Sequence, residues 1–341
     1  MTRMEASAAL SIEKPTIIAL LFRRVGDSLM ATPALRNVRA WRPQARIVVL
    51  AESSVRRVFE GNPAVSEIFD IPPRRKSLEF WHVLQLVRRQ RPQITLDFLS
   101  DPRSALLSRM SGAPVRVGIG YRGRRWAYTR WIPCQDPQQP LYSAEHKLKL
   151  SKLWGDAAQS DATLDFFLCP EDELAASHLW EREGWGSETN VIALGVHSRR
   201  EHKRWPPEQF AKVAQRLIQE LNVVIALIAG PGEEAGVRNV LELIHDRRAH
   251  MISPKGLGAL AACLKRCRLF IGNDGGPKHL AVAVGTPTLT LFGAEPSEFW
   301  TPPGDARHVA LGGTRSEKPD LESLTSDEVF ESAHRLYERT A

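Results

Sequence analysis

The residues best placed to do chemistry lie in short loops that follow β-like runs. Asp27 stands in Arg24-Val-Gly-Asp-Ser-Leu-Met-Ala-Thr-Pro33, directly after the apolar run Thr16–Phe22 and at the opening of a helix-like segment. Gly26 lets the backbone approach a ligand closely, and a carboxylate here can face the crevice at the carboxyl end of a strand. Asp27 could equally cap its helix, and spacing alone leaves both uses open. A second stretch, Ile271-Gly-Asn-Asp-Gly-Gly-Pro-Lys-His-Leu280, again runs strand, glycine-rich turn, helix start, with Pro277 suited to the first helical position. Its exposed amides and positive helix end would cradle a diphosphate around Asp274, Gly275 and Gly276, and the His279 imidazole would add a donor. Glycine-rich turns are common, however, and a lone first-turn histidine is more often structural.

A third loop, His197-Ser-Arg-Arg-Glu-His-Lys-Arg-Trp-Pro-Pro207, contains Ser198 and groups Arg199, Arg200, Lys203 and Arg204 between a strand and a helix. Four basic side chains there could neutralise a leaving diphosphate, with Lys203 as a point charge; the plainer reading is a solvated basic loop pinned by Trp205. In Ala229-Gly-Pro-Gly-Glu-Glu234, Glu233 or Glu234 could bind ribose hydroxyls, although glutamates favour a helix start without any ligand. Gly118-Ile-Gly-Tyr-Arg-Gly123 fits the dinucleotide pattern G-x-G-x-x-G but leads into Arg124-Arg-Trp-Ala-Tyr128 rather than an amphipathic helix, which argues against nicotinamide binding.

The formal charge is +7, from 46 Lys and Arg against 39 Asp and Glu, which calls for anionic partners. Arg116, Arg122, Arg124, Arg125 and Arg130 crowd one stretch with Tyr121, Trp126, Tyr128 and Trp131. Arg122, Arg124 and Arg125 are the candidate acceptor-binding residues on charge alone; a solvated loop with aromatic anchors is the competing reading. No nucleic-acid-binding module is recognisable, so nucleic acid is not an expected partner, and a noncatalytic nucleic-acid-binding protein remains only as an alternative from another class.

The elements that must position these loops alternate. Thr16–Phe22, Arg46–Leu50, Glu67–Ile71, Gln93–Leu99 and Val115–Val117 read as strands in the first half, with a helix from Asp27 to Trp41. Val191–Val196, Asn222–Ala229, Arg268–Ile271 and Pro287–Phe292 read as strands in the second, with helices near Pro206–Gln219, Glu233–His245 and Gly276–Val284. This predicts an α/β protein with two Rossmann-like, mostly parallel sheets, the size expected of a chain of 341 residues. The domains are expected at 14–168 and 169–324, with the crossing near Pro170. Thr325-Ser-Asp-Glu328 is a capping box, and the helix it opens, 325–341, is expected to pack back onto the first domain.

No apolar run approaches the roughly 20 residues a membrane span needs, and the first thirteen residues lack a signal-peptide core, so a cytoplasmic location is expected. Cys134, Cys169, Cys263 and Cys267 are too scattered for a disulfide framework or a zinc site. There is also no Asp-x-Asp sequence to hold a metal for sugar-nucleotide transfer, so neither metal nor cofactor is expected.

As an ordered set these motifs resemble glycosyltransferase family 9, the heptosyltransferases of the lipopolysaccharide core. The resemblance runs through Gly26-Asp27, Thr32-Pro-Ala-Leu35, Arg42-Pro-Gln-Ala-Arg-Ile47, Gly61-Asn-Pro-Ala-Val65, Lys203-Arg-Trp-Pro206 and Gly272-Asn-Asp274 to Gly285-Thr-Pro287. It implies a GT-B fold, two Rossmann-like domains facing across a cleft, the first holding the acceptor and the second the nucleotide sugar. It further implies Asp27 as general base and ADP-heptose as donor. The donor contacts it implies are Lys203, Asp274, Gly275, Gly276 and His279, and Ser198 and Glu233 join them as candidates from their own loops. The acceptor would be an anionic glycolipid, the phosphorylated inner core, met at the cytoplasmic face of the inner membrane through peripheral contact. The sequence departs from the family pattern at Gly275, where threonine is common, and at Lys278, which replaces an apolar residue and would return positive charge to the same phosphates.

Overall fold

The computed structural model describes residues 13–22, 24–72, 77–136, 138–154, 161–313 and 320–340. Of the amino-terminal thirteen residues only the last falls among them. The chain divides into two compact units, Met1–Phe167 and Leu168–Ala341.

The first unit contains β1 (Thr16–Leu20), α1 (Val25–Leu29), α2 (Thr32–Trp41), β2 (Arg46–Glu52), α3 (Ser53–Arg56), β3 (Glu67–Ile71), α4 (Ser77–Arg89), β4 (Ile94–Asp97), α5 (Pro102–Met110), β5 (Val115–Ile119), β6 (Arg130–Ile132) and α6 (Ser143–Ser151). Its sheet has the order β3-β2-β1-β4-β5-β6, and every pairing is parallel. The chain reverses direction of progress between β1 and β4, so the loops leaving these neighbours diverge and open a crevice at their carboxyl ends. Ile17 through Leu20 are wholly buried, as expected of a central parallel strand covered on both faces.

The second unit repeats the plan with α7 (Pro170–Arg182), β7 (Val191–Gly195), α8 (Pro207–Leu221), β8 (Val224–Ile228), α9 (Glu234–Ile244), β9 (Ala249–Ile252), α10 (Leu257–Arg266), β10 (Leu269–Asn273), α11 (Gly276–Ala283), β11 (Thr288–Phe292), β12 (His308–Gly312) and α12 (Ser326–Arg339). The order β12-β11-β10-β7-β8-β9 is the same topology, with its reversal between β7 and β10. Gly272 is required there: a Cβ would lie 2.6 Å from the Gly195 carbonyl oxygen, so only glycine lets these two strands approach.

Several expectations change. The helix expected from Asp27 to Trp41 is two helices, broken before Thr32 because Pro33 suits a helix start and not an interior. Pro170, near which the crossing is expected, lies close to the division of the chain at Phe167–Leu168 and itself stands in the first turn of the helix α7. The short strands β6, β9 and β12 were not anticipated; each lies at or near a sheet edge, where only part of the strand is buried and the apolar signal is weak. The capping box of α12 forms, Glu328 N–H donating to Thr325 Oγ1 at 3.3 Å and Thr325 N–H to Glu328 Oε2 at 2.9 Å. The helix, expected to pack back onto the first domain, belongs to the second unit instead. Its apolar face, Val329, Phe330, Ala333 and Leu336, enters the core of the second unit with Phe210, Val213 and Leu217 of α8. The helix lies against α8 and β11, which receive its apolar stripe.

Candidate active site

In the first unit Asp27 lies in α1, in the loop region leaving β1, at the switch point of the sheet. The turn before it passes through Arg24 at φ 73°, a left-handed conformation that a non-glycine residue adopts at a cost of order 1 kcal/mol or more. Asp27 is not the cap of this helix, since the N-cap position is Arg24. Its side chain is instead held by Lys147 of α6, whose Nζ donates to the Asp27 carbonyl at 3.0 Å and to Oδ1 at 3.1 Å. Lys147 is 5% exposed, whereas about a quarter of the Asp27 side chain reaches solvent (24%). One carboxylate oxygen is therefore fixed and the group stays accessible. Sequence reasoning missed Lys147, because a lysine in an amphipathic helix reads as a solvated side chain.

The loop after β4 supplies the other wall. Asp97, wholly buried, accepts N–H bonds from Leu99 at 3.1 Å and Ser100 at 2.7 Å and the Tyr128 hydroxyl at 2.7 Å. Burial raises its pKa to about 6 against these hydrogen bonds. The network holds Ser100 at φ 49°. Arg124 is tied to the same loop, donating to the Ser100 carbonyl at 2.6 Å beside the Tyr121 ring. Arg125 donates to the Gly120 carbonyl at 3.0 Å and lies 4.1 Å from the Trp131 ring centroid, while Arg122 is exposed. All three arginines follow β5 and so share the sheet edge of Asp27. Burial raises the Tyr121 pKa, and the nearby Cys134 and Asp27 raise it further. The pattern Gly118-x-Gly120 serves aromatic packing, since a Cβ at Gly118 would strike the Tyr128 ring and one at Gly120 the Trp131 ring, each at 2.4 Å.

In the second unit the loops leaving β7 and β10 meet in the same way. Asn273 staples them, its Oδ1 accepting Trp205 N–H at 3.0 Å and its Nδ2 donating to the Val196 carbonyl at 2.9 Å. This brings Lys203 to Asp274, 2.8 Å away, at the start of α11. A second carboxylate, Glu295, unforeseen from sequence, lies 2.9 Å from the same amino group. Burial opposes the charge on Lys203, but Asp274 and Glu295 outweigh it and raise its pKa. Burial likewise raises the Asp274 pKa, and the nearby His279, Lys278 and Lys203 overcome it, so the carboxyl stays below its usual range. His279 Nε2 is 3.8 Å from Asp274 Oδ1, and its ring meets Trp300 edge-on at 5.9 Å.

The remaining expected donor residues are placed less uniformly. Ser198 carries the carbonyl that accepts Arg204 Nε at 2.6 Å. Glu233 turns back to accept Gly230 N–H at 3.0 Å, with Oε1 3.8 Å from His197 Nε2. Gly275 is extended (φ −175°), and a Cβ would meet nothing closer than 3.9 Å, so the position has room for a threonine. Lys278 was expected to return positive charge to the phosphates, and its charge does act on Asp274. It is wholly buried beside Phe292, and its amino group donates to the Trp300 carbonyl; burial lowers its pKa to about 8. Among the described residues no group of three or more His, Cys, Asp or Glu side chains could hold a metal ion.

The chain matches the family model described as glycosyltransferase family 9 (heptosyltransferase) over residues 80–330. It is 24% identical over 319 residues to lipopolysaccharide heptosyltransferase 3 of Escherichia coli, covering 89% of this chain and 91% of that one. Among solved structures, a family 9 glycosyltransferase from Veillonella parvula superposes with a TM-score of 0.86 at 22% identity, covering 95% and 98% of the two chains. The E. coli ADP-heptose heptosyltransferase II superposes at 0.79 and 20% identity, covering 95% and 99%. At these identities the structural likeness establishes the GT-B fold.

Proposed function

The chain belongs to glycosyltransferase family 9, the heptosyltransferases, and from this we propose that it moves a heptose from ADP-heptose to a hydroxyl of the lipopolysaccharide inner core with inversion. The acceptor oxygen bonds to the anomeric carbon as the bond to the diphosphate oxygen breaks, Asp27 takes the hydroxyl proton, and ADP leaves with the electron pair. Asp27 suits this role because Lys147 fixes one oxygen and leaves the group accessible. The departing charge falls to Lys203 and the amides opening α11, preorganised donors of a kind worth about 3 kcal/mol each. Ser198, Glu233, Asp274, Gly275, Gly276 and His279 complete the donor set. Arg122, Arg124 and Arg125 bind phosphates of an anionic glycolipid, and the neighbouring Trp126, 56% exposed, suits peripheral contact with the inner membrane.

The observation that carries the donor side is the Lys203–Asp274 pair held by Asn273 at the start of α11. Calorimetric titration with ADP, UDP, GDP and CDP tests it: ADP binds preferentially, and Lys203→Ala weakens it. Preference for UDP or GDP would favour the second reading, a family 9 transferase for another nucleotide sugar or a non-lipid acceptor, to which the open position at Gly275 gives some support.

A further inference from the structure

Glu295, in the loop after β11, belongs to none of the roles above, yet its Oε1 gathers the basic loop: Lys203 at 2.9 Å, His202 at 3.6 Å and Arg200 at 4.0 Å. Its Oε2 is buried without a hydrogen-bond partner among the described residues. The carboxylate is thus held through Oε1 by the side chains of the basic loop and bears an uncompensated desolvation cost on the other oxygen. Lys203 is bracketed by two carboxylates, and a diphosphate reaching it would bring further negative charge against both. Asp274 cannot readily yield, being 8% exposed on the rigid junction of β10 and α11 with His279 and Lys278 nearby. The Glu295 side chain is 23% exposed and sits on a loop whose far end is anchored by Lys278 to the Trp300 carbonyl.

We propose that Glu295 is the resident counter-anion of the basic loop, occupying Lys203, Arg200 and His202 until a nucleoside diphosphate displaces it by rotation of the side chain. The exchange rests on the donor reading given above. It lowers affinity for any diphosphate, so ADP formed in the reaction is released rather than retained, and it keeps the basic loop from capturing free phosphate.

Calorimetric titration of ADP into the full chain tests this with Glu295→Gln, Glu295→Ala and, as a control for long-range charge, Glu181→Gln on the exposed face of α7. Removing one charge beside the site should tighten ADP on the order of tenfold in both Glu295 variants, less at high salt, and leave the control unchanged. ADP binding by the wild type that is unchanged or weakened in folded Glu295 variants overturns the displacement alone; a weakening would show Glu295 to be a donor ligand. No ADP binding by any form would overturn the donor reading as well.

Discussion

At the scale of single residues, the proton transfer proposed above turns on a pair separated by 120 positions, Asp27 and Lys147. Lys147→Met removes the bond that orients the carboxylate and the one to the Asp27 carbonyl. It should lower kcat about 10- to 100-fold while leaving ADP affinity within about twofold, with partial recovery in Lys147→Arg; steady-state kinetics and calorimetry check this. Asp97 makes a separate, pH-dependent prediction. Its folded pKa is raised to about 6, above an unfolded value of roughly 4. The folded state therefore holds the proton more tightly, and the group's contribution to stability is present below the unfolded pKa and lost as pH rises through about 6. Chemical denaturation across this range should show that loss in the wild type and its absence in Asp97→Asn. Asp27 could be singled out as a candidate in the sequence because glycine, aspartate and a helix start are neighbours there and the ordered set of motifs resembles a family. Lys147 and Glu295 were not, because each acquires its meaning from a partner that only the fold brings near.

At the scale of elements, what matters is how loops are held at the ends of strands. Gly275 lies extended with room for a side chain, so Gly275→Thr should fold normally and restore a hydroxyl at the start of α11. The expected result is ADP binding tightened by about threefold to tenfold, as one charge-assisted hydrogen bond allows. Phe330 of α12 is 1% exposed in the core of the second unit. Phe330→Ala should cost about 3–5 kcal/mol in chemical denaturation. The interior strands were legible because wholly buried strands read as continuous β-branched runs. The placement of α12 was not, because an amphipathic stripe shows that a helix is packed and says nothing of which surface receives it.

At the scale of the whole molecule, two sheets of one topology each put the candidate site loops at the point where strand order reverses. That recurrence was visible as two alternating halves, although the edge strands that complete each sheet were not. The positive charge is also distributed. Part lies on the arginines after β5. Another part lines a cavity of about 570 Å³ at the amino-terminal edge of the second sheet, with Lys265, Arg266, Arg268, Arg307 and Arg339. Helices α10 and α12 end there at Arg266 and Arg339, so these cations meet the negative ends of helix dipoles, and Lys265 and Arg307 pair with Glu173 and Asp305. Net charge alone therefore does not argue for nucleic acid. The most direct test of the account is release of ADP from ADP-heptose in the presence of an inner-core lipopolysaccharide acceptor, for wild type and Asp27→Asn. The account predicts acceptor-dependent turnover that falls at least about 100-fold in Asp27→Asn with ADP affinity kept. Turnover unchanged in Asp27→Asn would contradict it.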